Sequence, residues 1–226
     1  MYRRGAFVLP LSVGAALIVG LAGGCWILSV RAEASSVPYC ASCISTEIIE
    51  PRLLVAGARD LPGFARAKTQ FFASASASEW ASGAEDTAAQ AESEAAYLNR
   101  EGFREGAATT IVGKHREAVS EALVFDSKAS ASRRLVESVS RGKRSIEKHG
   151  LRRFHVAGVP GSVGLGAFRR GRRGTVGDLW FATGRCWFVV ADRVPGAKTR
   201  GEGTKALVAA ANAIYKRVRA PCDSSA

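Results

Sequence analysis

Five cysteines and three histidines carry most of the chemistry open to this chain. Cys40-Ala41-Ser42-Cys43 is a CxxC pair. At a helix start that spacing lowers one thiol pKa and supports disulfide exchange. Here it falls in a tether ahead of the first regular element, not after a strand. A local structural bridge is therefore the expectation, with a thiol–disulfide oxidoreductase as the alternative. Cys186 and Cys222 bring the count outside the N-terminal apolar run to an even number. In an oxidising compartment such cysteines pair by default. Cys40–Cys43 with Cys186–Cys222 is the favoured pairing. The rival joins Cys40 and Cys43 each to a distant partner.

The other catalytic signatures fail. His115, His149 and His155 stand in no HExxH or other tight ligand spacing, so no metal ligands are assigned. Gly106 to Lys114 has too many residues between its glycines for a phosphate loop. Gly161-Ser162-Val163-Gly164-Leu165-Gly166 lacks dinucleotide spacing and lies between strands. No GxSxG elbow occurs. The reading assigns no catalytic residue and no cofactor. Trp180 and Trp187 could form an aromatic platform for a ligand, or pack beneath a helix.

The elements that must position these residues follow from periodicity. Pro51 to Val55 opens the domain, and Asp60-Leu61-Pro62-Gly63-Phe64 reads as a turn. Lys68 to Ser78 reads as a strand, and Gly83 to Glu101, rich in Ala and Glu, as one helix. Phe103 to Val112 and Glu117 to Phe125 are strands. Asp126-Ser127 caps a helix from Lys128 to Arg141, with Gly142 as its stop. Leu151 to Val156 and Gly164 to Phe168 are further strands. Thr175 to Phe181 and Cys186 to Ala191 form a hairpin in which Phe181 faces Cys186 and Trp180 faces Trp187. Leu179, Phe181, Cys186, Phe188 and Val190 then share an apolar face.

A last helix from Thr204 to Arg219 carries Leu207, Ala211, Ile214 and Val218 on one stripe, and Pro221 stops it. Packing that stripe on the hairpin brings Cys222 near Cys186. Neighbouring strands without helices between them imply antiparallel pairing. The predicted fold is α+β: a mainly antiparallel sheet with about three helices packed against one face, preceded by one N-terminal transmembrane helix.

That helix is the uncharged run Gly5 to Val30, about 26 residues after Arg3 and Arg4, against the roughly 20 needed to span a bilayer. The two arginines hold the N-terminus in the cytoplasm and send the rest outward. A retained anchor competes with cleavage after Ala32-Glu33-Ala34, giving a secreted product, and with lipidation of Cys25 in Leu21-Ala22-Gly23-Gly24-Cys25. The chain divides into an anchor or signal peptide (1–31), a tether with the CxxC (32–50), one extracytoplasmic domain (51–222) and a tail (223–226).

The chain carries a formal charge of +12. Residues 141–173 concentrate it: Arg141, Lys143, Arg144, Lys148, Arg152, Arg153, Arg169, Arg170, Arg172 and Arg173 stand against Glu147 alone. Arg169, Arg170, Arg172 and Arg173 are the candidate anion-binding residues. Such a patch suits lipid headgroups or an acidic envelope polymer. No specific nucleic-acid partner is expected. The bland alternative is a solvated basic face.

Leu61-Pro62-Gly63-Phe64, the junction from Val124-Phe125-Asp126-Ser127 to Arg134-Leu135, and the Leu179 to Val190 hairpin before an Ala-rich helix resemble exported domains of actinobacteria. These are similar to PsbP-like lipoproteins and to the extracellular sensor domains of receptor kinases. The resemblance covers about residues 50–220 and carries no catalytic residues. It implies a non-enzymatic envelope domain of α/β-sandwich type. The expectation is a membrane-anchored binding or sensor-like domain. Alternatives are an oxidoreductase using Cys40 and Cys43, and a polyanion or anionic-lipid binder using residues 141–173.

Overall fold

The computed structural model describes residues 49–64, 67–85, 87–113, 116–149, 152–169, 174–195 and 200–224. The run 5–30, the tether, Cys25, Cys40 and Cys43 lie outside them. Among the described residues no helix is long and apolar enough to cross a membrane.

The chain forms α1 (Pro51–Leu54), β1 (Lys68–Ser74), α2 (Ala77–Ala84), α3 (Ala88–Arg100), β2 (Phe103–Val112), β3 (Glu117–Phe125) and α4 (Lys128–His149). It continues as β4 (Arg152–Phe154), β5 (Val163–Arg169), β6 (Gly174–Thr183), β7 (Cys186–Pro195) and α5 (Arg200–Asp223). The seven strands make one sheet in the order β1-β2-β3-β7-β6-β5-β4. Every pairing is antiparallel. Two meanders meet at β3 and β7, and α4 carries the chain from the middle of the sheet to its far edge.

Five helices are described, not three, and they cover both faces rather than one. The reason lies in the two central strands, which are apolar on both sides. Ala122, Val124, Phe188 and Val190 join a core with Leu54 of α1 and with Leu207, Ala211, Ile214 and Val218 of α5. Leu123, Phe125, Trp187 and Val189 join a second core with Trp80, Leu98 and Val139 of α2, α3 and α4. A strand buried on both faces needs a helix layer on each.

Tertiary contacts also moved several boundaries. The single helix expected over 83–101 is two, because Ser76 and Thr87 each cap a helix. Their side chains accept hydrogen bonds from Glu79 N at 3.3 Å and Gln90 N at 3.2 Å. Ser76 with Glu79 has capping-box spacing, a helix-start signal carried by the sequence itself. Gly142 does not stop α4. It lies inside the helix, where an added Cβ would come within 2.8 Å of Leu165 and 3.1 Å of Trp180. It is a point of close approach, and the helix runs on to His149.

The hairpin turn is two residues, Gly184 and Arg185, with Thr183 opposite Cys186. Phe181 therefore pairs with Phe188, and Trp180 with Val189. The shift from the expected pairing is even, so each residue keeps its face. Phe181 and Phe188 stack at 4.7 Å between ring centroids. Pro51 to Val55 opens the domain as a helical turn, α1.

Arg217, in the last turns of α5, has a specific task. Its Nε donates to the Leu53 carbonyl and its Nη2 to the Val55 carbonyl, both at 2.9 Å, and Asp60 lies 3.3 Å away. It ties α1 and the following turn to α5. Arg217→Ala should cost about 2–3 kcal/mol, since carbonyls and a carboxylate lose a charged donor. Urea unfolding checks the size. Hydrogen exchange should show residues 51–60 opening first, and unchanged protection there would contradict the role.

Candidate functional site

The second helix layer holds a charge cluster that no sequence motif announced. Glu94 and Tyr97 come from α3, Arg134, Glu137 and Arg141 from α4, and Glu121 from β3. The one-residue alternation of β3 aims Glu121 at this face, between Val119 and Leu123. Arg134 is its hub. Arg134 Nη2 donates to Glu94 Oε1 at 2.5 Å and Nη1 to Glu94 Oε2 at 3.3 Å, a bidentate pair. Both side chains are buried, at 11% and 6% exposure. The guanidinium also lies 5.2 Å from the Trp187 ring and 5.3 Å from the Tyr97 ring. Arg141 Nη2 donates to Glu137 Oε1 at 2.5 Å.

This setting moves the proton affinities apart. Burial pushes Glu121 up to about 7, Arg134 opposes the rise, and the Glu94, Glu85 and Asp178 carboxylates reinforce it. Burial, then the Glu137 charge, pushes the Tyr97 hydroxyl up to about 12. Against the upward push of burial, the hydrogen bond and charge of Arg141 hold Glu137 below the ordinary carboxylate value. Glu121 therefore titrates near neutrality among fixed charges.

The sign of the consequence is definite. The folded state binds the Glu121 proton more tightly than an unfolded chain does. Its contribution is favourable at low pH and is lost as pH rises from about 4.5 to about 7. Glu121→Gln should therefore stabilise the domain above neutral pH by about 2 kcal/mol and change little near pH 4. Urea midpoints of both proteins at pH 4.5 and pH 8 test this, and an equal difference at the two values would refute it.

A second ion pair, between a partly exposed arginine and a buried aspartate, sits on the opposite face. Arg116 Nη2 donates to Asp192 Oδ2 at 3.0 Å, and Nη1 donates to the Pro62 carbonyl at 2.8 Å. The guanidinium lies 4.6 Å from the Phe64 ring. Burial lifts Asp192 to about 6 despite the Arg116 charge. The pair fastens the Leu61-Pro62-Gly63-Phe64 turn to β7.

Of the residues singled out in the sequence, Cys186 and Cys222 are joined by a disulfide with 5.6 Å between Cα atoms. Around the bond, Arg185 N donates to the Cys222 carbonyl at 3.0 Å, and Thr183 Oγ1 donates to Asp223 Oδ1 at 3.1 Å. Gly184, at φ +47°, admits this contact: a Cβ there would fall 1.8 Å from the Cys222 carbonyl oxygen. The helix accordingly continues through Pro221 to Asp223 instead of stopping before it.

Cys25, Cys40 and Cys43 lie outside the described residues, as do Arg170, Arg172, Arg173 and His115. Arg169 is the last residue of β5. His155 Nδ1 lies 2.5 Å from the Ser162 carbonyl and belongs to the turn before β5. Trp180 and Trp187 are 5% and 3% exposed beneath α4 and act as packing, not as a platform. Among the described residues no group of three or more His, Cys, Asp and Glu side chains could hold a metal ion.

No protein-family model matches the chain, and no curated protein matches it. Among solved structures it is similar to the extracellular domain of PknH from Mycobacterium tuberculosis, with 11% sequence identity and a TM-score of 0.49. The likeness covers 75% of this chain and 96% of that one. Nothing in these comparisons supports the resemblance to PsbP-like lipoproteins.

Proposed function

We propose that this chain is an envelope protein held in the cell membrane by residues 5–30, with residues 51–222 outside as a binding or sensor-like domain. The observation that carries the reading is the Cys186–Cys222 bridge. A buried disulfide closing the last helix onto the central hairpin belongs to a chain that folds in an oxidising compartment. The uncharged run behind two arginines supplies the route there. Ile49 and Leu54 are buried in the α5-side core, so the tether leads straight into the folded body. The charge cluster supplies a titratable centre inside that body.

The test combines two measurements on cells making the full chain. Protease added outside intact cells should digest the domain. Intact mass before and after reduction should show at least one bridge and report whether the leader, with Cys25, is kept, cut or lipidated. A protein shielded from external protease with Cys186 and Cys222 free would overturn the reading. Thiol trapping in the native state addresses Cys40 and Cys43. A rapidly reacting, reversibly oxidised pair would replace the binding role with disulfide exchange.

A further inference from the structure

The basic stretch is spread over 33 positions in the sequence, from 141 to 173, and the fold brings together the ends of three elements that carry part of it. α4 ends at His149 and β4 begins at Arg152. β4 pairs with β5 so that Arg152 lies opposite Gly166, three positions before Arg169, and Gly142 of α4 packs on Leu165 of β5. Arg169 in turn lies opposite Gly174, where β6 begins. The last turns of α4, the start of β4 and the end of β5 therefore meet at one corner of the sheet. Lys143, Arg144 and Lys148 occupy those turns of α4, Arg152 and Arg153 the edge strand β4, and Arg169 the end of β5. Glu147 is the only acidic residue among these elements from position 142 on. Arg152 and Arg153 are exposed, and among the described residues β4 is the edge strand next to β5.

We propose that this corner docks on the anionic phospholipid headgroups of the bilayer that carries the anchor. The inference rests on the envelope reading above and adds a partner to it. Residues 31–48 allow a reach of at most about 60 Å from the bilayer to Ile49. The domain is thus confined near a charged surface whose field fades within about 10 Å, so only a face turned toward the lipid gains from it. Guanidinium groups hold phosphate oxygens in bidentate fashion, and each basic residue close to an anionic surface raises partitioning by roughly fivefold. A bilayer is favoured over a soluble polymer because the tether already supplies the high local concentration.

The test uses the full chain in nanodiscs of phosphatidylcholine, with or without one-third phosphatidylglycerol. Hydrogen exchange reads contact at each element. The anionic discs should protect β4 and the last turns of α4, and neutral discs or 0.5 M salt should remove that protection. Lys143→Gln with Arg144→Gln and Arg153→Gln should lower the docked-to-free ratio at least tenfold. Arg59→Gln with Lys216→Gln and Arg219→Gln removes equal charge elsewhere and should leave it within about twofold. Protection that is equal in neutral discs, that falls on another face, or that drops equally in both triple variants would overturn the proposal. So would capture of soluble polyphosphate or RNA by these residues without a footprint on anionic discs. The lipid and salt arms use the unmodified chain, so they stand even if a variant misfolds. A domain that is external yet shows no footprint sinks the docking alone.

Discussion

Replacing Arg134 with methionine is expected to destabilise the domain by about 3–5 kcal/mol. Arg134 is the partner that makes Glu94 tolerable at 6% exposure, and without it a carboxylate is left in an apolar layer. Methionine keeps most of the volume and the contact with the Trp187 and Tyr97 rings, so the loss reports charge more than packing. The double variant Arg134→Met with Glu94→Leu should recover most of the loss, because an apolar pair of similar size often replaces a buried ion pair at little cost. Urea unfolding of the two single variants and the double variant gives the coupling directly. A single variant within about 1 kcal/mol of the parent would show that the cluster is wetter than its burial implies.

Removing the disulfide by Cys186→Ala with Cys222→Ala should lower stability by about 4 kcal/mol. The bridge closes a separation of 36 residues, and the entropy model assigns nearly that amount to a loop of this length. Both sulfurs are buried, at 0% and 1% exposure, so the alanines add a small cavity cost. Reduction of the parent protein under unfolding conditions, without substitution, should give a similar drop. Agreement between the two separates loss of the cross-link from loss of side-chain volume. An unchanged urea midpoint after complete reduction would show that the surrounding hydrogen bonds alone hold α5 to the hairpin.

This bridge was legible because the apolar stripe of Leu207, Ala211, Ile214 and Val218 has to cover the apolar face of the hairpin. A helix packed on that face brings Cys222, just past its end, toward Cys186. The charge cluster was not legible. Glu121 is one of several polar residues in an alternating strand, and Glu94, Arg134 and Glu137 read as ordinary exposed helix charges. Only the placing of α3 and α4 in one layer against the sheet turns them inward.

Local periodicity and short connections by themselves determined where β2 and β3 begin and end and that these neighbours pair antiparallel. Those properties depend on neighbours one to four positions apart, and each residue type expresses them without outside help. Tertiary structure alone decided that α4 passes through Gly142, that helices cover the sheet on both sides, and that three carboxylates and two guanidiniums share one layer. These depend on which distant surfaces come to touch. Contact distances of a few ångströms, such as those around Gly142 and Gly184, are set by the packed whole and have no counterpart in a linear order of residues.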